Sequence, residues 1–559
     1  MDDRQHAQLL QNLDAIGAAD GRLAARVALP VEGDTASLRP DGTATYHFGR
    51  VDVPLHLGRD RLRALITDAQ GRAAVAVLGA GVGEPVSALL RHTAARVVLW
   101  ERDPWMLRLA LANHDWGQAI QSGRLRIALG ADLVRLAGKA LWTWSHPVLA
   151  KRYRLERQII ADGLGEQRAL LCGGELLVAD LAAALQTHGV QLFTWEVDRL
   201  SAEELNHTVR TLRPAFAAAI NYTDGLAEAC ASFGLPLMCW EIDPTTSFVF
   251  PPRRPVNQTF IYTYRQRNVS RFRKAGFPNV QHLPLAANIT RRRPVTRSPE
   301  QQDRFGAPVS FVGASMVQSA QKLARQFVRQ HDQLRPGAPP GQAKAALNAA
   351  LDAQRQRHDY QMPAILEAIC PGLRTASAQQ QLADPAMLIG EVAAAEKRLR
   401  CVASLAPLGI RAWGDDGWRQ LEGQGVRYMG YADHSRHLNL IYCASRVNVD
   451  VGRWYQADIV PMRIFDILAC GGFVIAEQNT ALAELFALGE EIETWQTLDE
   501  LTAKVQHYLA HPQQAARIAA AGMRRVRKDH TIQNRVDGML QDLRRFTTNT
   551  SRTRRGIPA

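Results

Sequence analysis

The chain has 559 residues, 46% hydrophobic and 22% charged, an ordinary globular balance with length for roughly three or four domains. Its net charge of +13 is mostly arginine spread along the chain, with short clusters only at Arg291–Arg293 and Arg552–Arg555. There is no compact basic and aromatic run and no zinc-finger or RNA-motif signature, which argues against nucleic acid and for an anionic small ligand. The opening MDDRQHAQLLQNLDAIG lacks an apolar core of signal-peptide length, and no apolar run reaches the ~18 residues of a membrane span. The seven cysteines are scattered without a CxxC pair, as in a protein with reduced thiols, so a cytoplasmic location is expected.

The first element pattern lies within residues 1–160. VAVL at 75–78 predicts a short buried strand, Gly79, Gly81 and Gly83 a turn, the stretch to His92 a helix, and VVLWERD at 97–103 a second strand ending near Glu101. Glycines let backbone approach a ligand and an acid at the second strand can hold a ribose, so these four residues form a candidate nucleotide or cofactor site. The GxGxG turn and the acid resemble an S-adenosylmethionine-dependent methyltransferase domain, which implies S-adenosylmethionine as a cofactor. No later methyltransferase motif is recognisable beyond a suggestive GADL at 130–133. The other reading is a Rossmann-like domain kept for packing or partner binding.

A second pattern spans 166–295. ALLCGG at 169–174, GVQLFTWEVD at 189–198, AFAAAINYTDG and GLPLMCWEID at 234–243 read as apolar strands, with helical spacing at Leu177, Val178, Leu181 and Leu185 between the first two. TFIYTYRQ and NVQHLPLAAN complete the set. Repeated strand–helix units with apolar strands predict a parallel sheet covered on both faces. Asp243 at a strand end is a candidate general base, or else a loop acid or a helix cap. His282 and His434 read as structural. The basic, proline-bearing stretch 291–308 reads as a linker.

A third pattern covers 305–545. VSFVGAS at 309–315 predicts a strand and turn, 316–400 a helical insertion broken at RPGAPPG, and IRAWGDDGW, VRYMGYAD and RVNVDV further strands and loops. DIVPMRIFDILACGG at 458–472 then reads as a polar loop, a helix and a glycine pair, followed by a buried strand, FVIAEQ. Asp458 and Asp466 stand eight positions apart, a spacing that lets both face one side of a helix. Residues 546–559 read as a disordered tail. Two tandem α/β domains are expected to bring the carboxyl ends of their strands to a shared cleft.

With these motifs in place, residues 168–545 resemble a GT-B glycosyltransferase of group 1, close to the spore-maturation-protein-like members. The resemblance rests on FVGAS, MGYADHS, MRIFDILACGG, LAELF at 482–486 and the ending at Asp529–Thr531, with GLPLMCWEID and LPLAAN at 283–288 in the preceding domain. It implies an α/β GT-B architecture of two Rossmann-like domains facing a cleft, preceded by the small methyltransferase-like domain. It implies transfer of a sugar from a nucleotide-diphosphate sugar to an acceptor protein or glycan hydroxyl, without a bound metal. Asp466 is then the ribose ligand, or else a helix-surface acid; Arg463 is the diphosphate clamp, or else a structural salt-bridge partner; and Asp458 is the sugar-contacting acid. Gly471 and Gly472 allow close approach of backbone, Gly313 and Ser315 offer N–H groups to phosphate, Tyr431 flanks the base, and Glu484 is either a second hydroxyl ligand or a solvated acid. Retaining relatives carry two glutamates where this chain has Asp458 and Asp466, each one methylene shorter. Two other readings stand beside this one: a bifunctional glycosyltransferase and methyltransferase, and a non-catalytic nucleotide-sugar-binding protein.

Overall fold

A computed structural model describes residues 2–29, 36–38, 43–48, 51–174, 176–243, 249–357 and 359–554. The chain divides into two compact units, one of residues 1–262, 270–281 and 543–559, the other of 263–269 and 282–542.

The first unit contains two sheets built on parallel pairs. The smaller has the order Leu125–Leu129, Arg96–Glu101, Ala74–Leu78, Trp142–Ser145, all parallel. Ala74–Leu78 is central and buried from its second residue on, as its continuous apolar run requires. The strand Trp142–Ser145 was not legible in the sequence, because polar residues alternate with its tryptophans. Two N-terminal helices, Asp3–Ala19 and Gly21–Ala28, also went unread; Asp2 caps the first and the Asp20 side chain caps the second. The larger sheet runs Gln191–Trp195, Arg168–Cys172, Phe216–Ile220, Leu237–Glu241, Thr259–Thr263, Asn279–His282. In chain order this is 2-1-3-4-5-6, so the direction of winding reverses between Arg168–Cys172 and Phe216–Ile220.

The second unit holds a six-stranded sheet whose neighbouring strands all pair in parallel: Arg427–Tyr428, Ile410–Trp413, Val309–Val312, Val447–Asp450, Val474–Glu477, Glu493–Trp495. Its order, 3-2-1-4-5-6, is that of a Rossmann-like domain, with the reversal between Val309–Val312 and Val447–Asp450. Val309, Phe311, Ile410, Val447, Val449 and Ile475 form the centre of its core. Five helices between Val317 and Ser404 pack around a separate apolar cluster built on Phe327, Leu347, Met362, Leu366 and Ile389. Among the described residues, no helix is long and apolar enough to cross a membrane.

Three expectations change here. The acid-bearing helix begins at Met462, with Pro461 as its N-cap, so Asp458 lies in the loop before it and the two acids do not share a helical face. The proline ring disfavours helical backbone at the preceding residue, which stops the helix from extending back to Asp458. The linker stretch contains Arg292, whose side chain is buried and pinned to the second unit's core. The last helix, Ile532–Arg554, runs through most of the stretch read as a tail, and 555–559 lie outside the described residues.

Candidate functional site

The reversal point of the second sheet gathers three arginines. Arg463, on the first turn of the helix Met462–Ala469, donates from Nη1 to Asp450 at 2.6 Å and lies over the Phe311 ring at 5.1 Å. Asp450 ends the strand Val447–Asp450 and is buried, so its charge holds the guanidinium at the strand end. Arg463 Nη2 has no partner among the described residues. A Cβ on Gly313 would stand 2.9 Å from that nitrogen, so glycine is needed there for the guanidinium's approach. Arg398, from the helix Pro385–Ser404, reaches the same strand ends: Nη1 donates to the Ala314 carbonyl at 2.9 Å and Nη2 to the Val451 carbonyl at 3.1 Å. Its buried Nε has no partner among the described residues. Burial, with Arg463 and Arg453 adding like charge, pushes its pKa down to about 10. Arg453 donates to the Tyr455 hydroxyl at 2.8 Å and pairs with Glu391 at 3.6 Å.

This cluster has more positive charge than the surrounding acids neutralise, at the strand ends where open parallel sheets bind ligands. It suits an anion with several oxygens, since a guanidinium forks onto phosphate. Met316, just before the helix Val317–Leu334, holds a left-handed φ of +68, a strained conformation at the turn beside Gly313.

Both predicted acids are engaged. Asp466 accepts from Arg292 Nε at 2.9 Å, and Arg292 Nη1 also donates to the His434 carbonyl at 2.8 Å. Asp458 is gripped by Arg265, which donates from Nε at 3.3 Å and from Nη2, and it pairs with Arg267 at 3.3 Å. Ser315 is not open to a ligand: its N–H donates to Asp415 at 3.0 Å and its hydroxyl bonds the same carboxylate. The glycine pair ends the helix. Gly471 has φ +74, and a Cβ on Gly472 would lie 2.8 Å from the Tyr442 carbonyl, so tight packing within the domain explains both. Tyr431 is 72% exposed, the most accessible large hydrophobic side chain among the described residues, and is free to stack on a ligand. Glu484 is exposed on the helix Thr480–Leu485.

Asp243 belongs to the first unit. It follows the strand Leu237–Glu241, its N–H donates to the Asn221 side chain at 3.2 Å, and its half-buried carboxylate has no partner among the described residues. His282 bonds the Tyr264 carbonyl at 3.3 Å and His434 is held through its own carbonyl by Arg292, as structural histidines would be.

The glycine turn of the first sheet has the predicted form, with φ of +94, +54 and +94 at Gly79, Gly81 and Gly83. Glu101 ends its strand as predicted, wholly buried.

Sequence reasoning missed Arg398, Asp450, Arg265 and Arg292. Asp450 carried a signal, an acid closing the apolar strand RVNVDV ahead of a glycine. Arg398 carried none, because its stretch, EKRLR, reads as a solvated helix face.

Comparison with known proteins fits the second unit. Residues 391–541 match the family model described as glycosyl transferase-like. Among solved structures, HepE from Anabaena in complex with UDP-glucose is 13% identical, with a TM-score of 0.36 over 69% of this chain and 100% of that one. Sucrose-phosphate synthase from Thermosynechococcus elongatus is 13% identical, with a TM-score of 0.40 over 69% and 100%. A glycosyltransferase from Rickettsia africae is 10% identical, with a TM-score of 0.42 over 68% and 99%. Likeness at these scores carries no functional argument. No curated protein matches the chain.

Proposed function

We propose that this chain is a glycosyltransferase that moves a sugar from a nucleoside diphosphate sugar to a hydroxyl acceptor. The observation that carries the reading is the convergence of Arg398, Arg453 and Arg463 on the reversal point of a glycosyl transferase-like domain. In the transfer, the bond from the anomeric carbon to the diphosphate oxygen breaks and a bond to the acceptor oxygen forms. The electron pair leaves on the diphosphate, and the acceptor hydroxyl loses its proton. Arg463 meets the developing negative charge, with Arg398 and Arg453 beside it. Three guanidiniums provide charge of the kind a cation would supply, which supports a metal-independent reaction. We assign the ribose hydroxyls to Asp466, the base to Tyr431, the sugar to Asp458 and the acceptor proton to Asp243, whose carboxylate is unengaged among the described residues.

The transferred sugar is taken to be a hexose, and the acceptor a protein serine or threonine, as on flagellin, or a surface glycan; both rest on the resemblance alone. Seven free cysteines, six of them buried, support a cytoplasmic location. The test is a thermal-shift panel of ADP, CDP, GDP, TDP and UDP on the whole protein, followed by release of the preferred diphosphate from its sugar conjugates. A ligand that binds the native state alone raises the melting temperature by mass action. No shift with any of the five ends the reading. Binding without turnover on any sugar conjugate selects the second reading, a nucleotide-sugar binder. Arg265 and Arg267 clasping Asp458 favour that reading.

A further inference from the structure

The N-terminal sheet has the glycine turn and strand-end acid of a nucleotide-binding unit, but its residues do not leave room for the nucleotide. A ribose-binding acid must offer its oxygens to hydroxyls. Glu101 offers neither. Its Oε2 accepts from the Ala80 N–H at 2.7 Å, and its Oε1 accepts from the N–H groups of Arg102 at 2.7 Å and Asp103 at 3.0 Å and from the Tyr153 hydroxyl. Tyr153 thus donates the hydroxyl that a ribose would, and it is itself 1% exposed. Burial outweighs these hydrogen bonds and raises the Glu101 pKa to about 7, the behaviour of an acid enclosed by protein.

The glycine cradle is filled in the same way. A Cβ on Gly81 would stand 2.6 Å from His146 Nε2, one on Gly79 2.9 Å from Leu149 Cδ1, and one on Gly83 2.4 Å from the His114 ring. His146 and Leu149 are both 0% exposed. The absence of Cβ atoms therefore admits the chain's own side chains, not a ligand.

The carboxyl ends of the strands are covered as well. A Cβ on Gly130 would lie 2.5 Å from Glu204 Oε1, on the helix Ala202–Leu212 of the neighbouring sheet. Arg26 holds Glu204 there, donating from Nε at 2.6 Å and Nη2 at 3.0 Å, while its Nη1 reaches Asp132 at 2.9 Å. Arg102 links the same two layers, to Glu156 at 3.4 Å and Glu196 at 3.2 Å. Between Arg102, Gly130, Glu196 and Glu204 the remaining cavity is about 10 Å³, which is space for about one water.

We infer that the crevice of the N-terminal Rossmann-like sheet is a closed intramolecular docking face: His146, Leu149 and Tyr153 occupy the cofactor position, the helix Ala202–Leu212 seals the strand ends, and neither S-adenosylmethionine nor a dinucleotide binds. This holds whether or not the C-terminal domain transfers sugar.

The test uses the full chain. Isothermal titration with S-adenosylmethionine, S-adenosylhomocysteine and NAD should give no saturable heat, and millimolar ligand should not move the melting temperature. Saturable binding of any of the three, lost in Glu101→Gln, overturns the inference. A second measurement uses Tyr153→Phe, which removes one hydroxyl and little volume. Melting should fall by several degrees as Glu101 loses a buried donor, and the amides of Ala80, Arg102 and Asp103 should exchange faster with deuterium. A Tyr153→Phe protein with unchanged melting and exchange overturns the docking role assigned to this contact.

Discussion

Replacing Gly313 by alanine separates ligand binding from folding at the C-terminal site. Gly313 has no left-handed φ, so an L side chain meets no backbone strain there. Its new Cβ would stand 2.9 Å from Arg463 Nη2 and 3.3 Å from the Phe311 ring. The first contact is with the tip of a flexible side chain, so the guanidinium swings aside and the chain relaxes. The alanine narrows the unfolded ensemble by about 0.4–1 kcal/mol, which offsets part of the weakened Asp450 hydrogen bond, and stability should stay within about 1 kcal/mol of wild type. The ligand loses more. A displaced guanidinium forfeits a charge-assisted hydrogen bond to phosphate, about 1.5–3 kcal/mol, or roughly a ten- to hundredfold rise in Kd. The assay is titration calorimetry with the nucleoside diphosphate that gives the largest thermal shift, beside a urea melt of the same protein. Gly472→Ala is the control, since its Cβ would press on the Tyr442 carbonyl at 2.8 Å and the Asn448 amide at 3.0 Å. That variant should lose about 1–3 kcal/mol of stability through overpacking. If Gly313→Ala binds within twofold of wild type while folding normally, Arg463 is not the diphosphate clamp.

The other predictions concern the engaged acids and the buried histidines. Asp466→Ala strands the buried Arg292 charge and should cost about 3–5 kcal/mol in a melt; Asp466→Asn should keep the fold yet weaken nucleotide binding at least tenfold in calorimetry, and equal affinity would remove Asp466 from the ribose. Asp458→Asn should reduce turnover with little change in diphosphate affinity, and a joint loss of both would place this acid in binding rather than in sugar transfer. Burial pushes the imidazoles of His146 and His530 down to about 4. Their neutral forms are favoured in the folded state, so stability present above about pH 6.5 is lost as pH falls through 4, by at most ~3 kcal/mol per histidine. Glu101, raised to about 7, acts oppositely: its contribution is complete below about pH 4.5 and lost as pH rises through 7. Thermal melts from pH 4 to 8 read both limbs, and Glu101→Gln should flatten the neutral one; an unchanged limb would mean that Glu101 is not buried as described.

Local patterns carried most of the fold. The apolar runs VAVL, ALLCGG, VSFVGA and FVIAEQ became the strands Ala74–Leu78, Arg168–Cys172, Val309–Val312 and Val474–Glu477, because a strand buried on both faces must be apolar throughout. Strand order was a different matter. Nothing in RVNVDV says that it pairs beside VSFV rather than VRY, yet that pairing creates the reversal point at which the arginines meet.

Residue type in the sequence also pointed to Arg463 as a candidate site cation, and to Glu101 as an acid closing a strand. What each carboxylate or glycine faces was decided only by tertiary structure. Asp458 and Asp466 are 193 and 174 positions from the arginines that clasp them, and Glu101 is 52 positions from the tyrosine that closes it. A GxGxG turn with an acid has the same local chemistry whether a nucleotide or the chain's own histidine fills it. Long-range packing settles which, because charge and hydrogen-bonding capacity are satisfied by whatever the fold brings within ~3 Å.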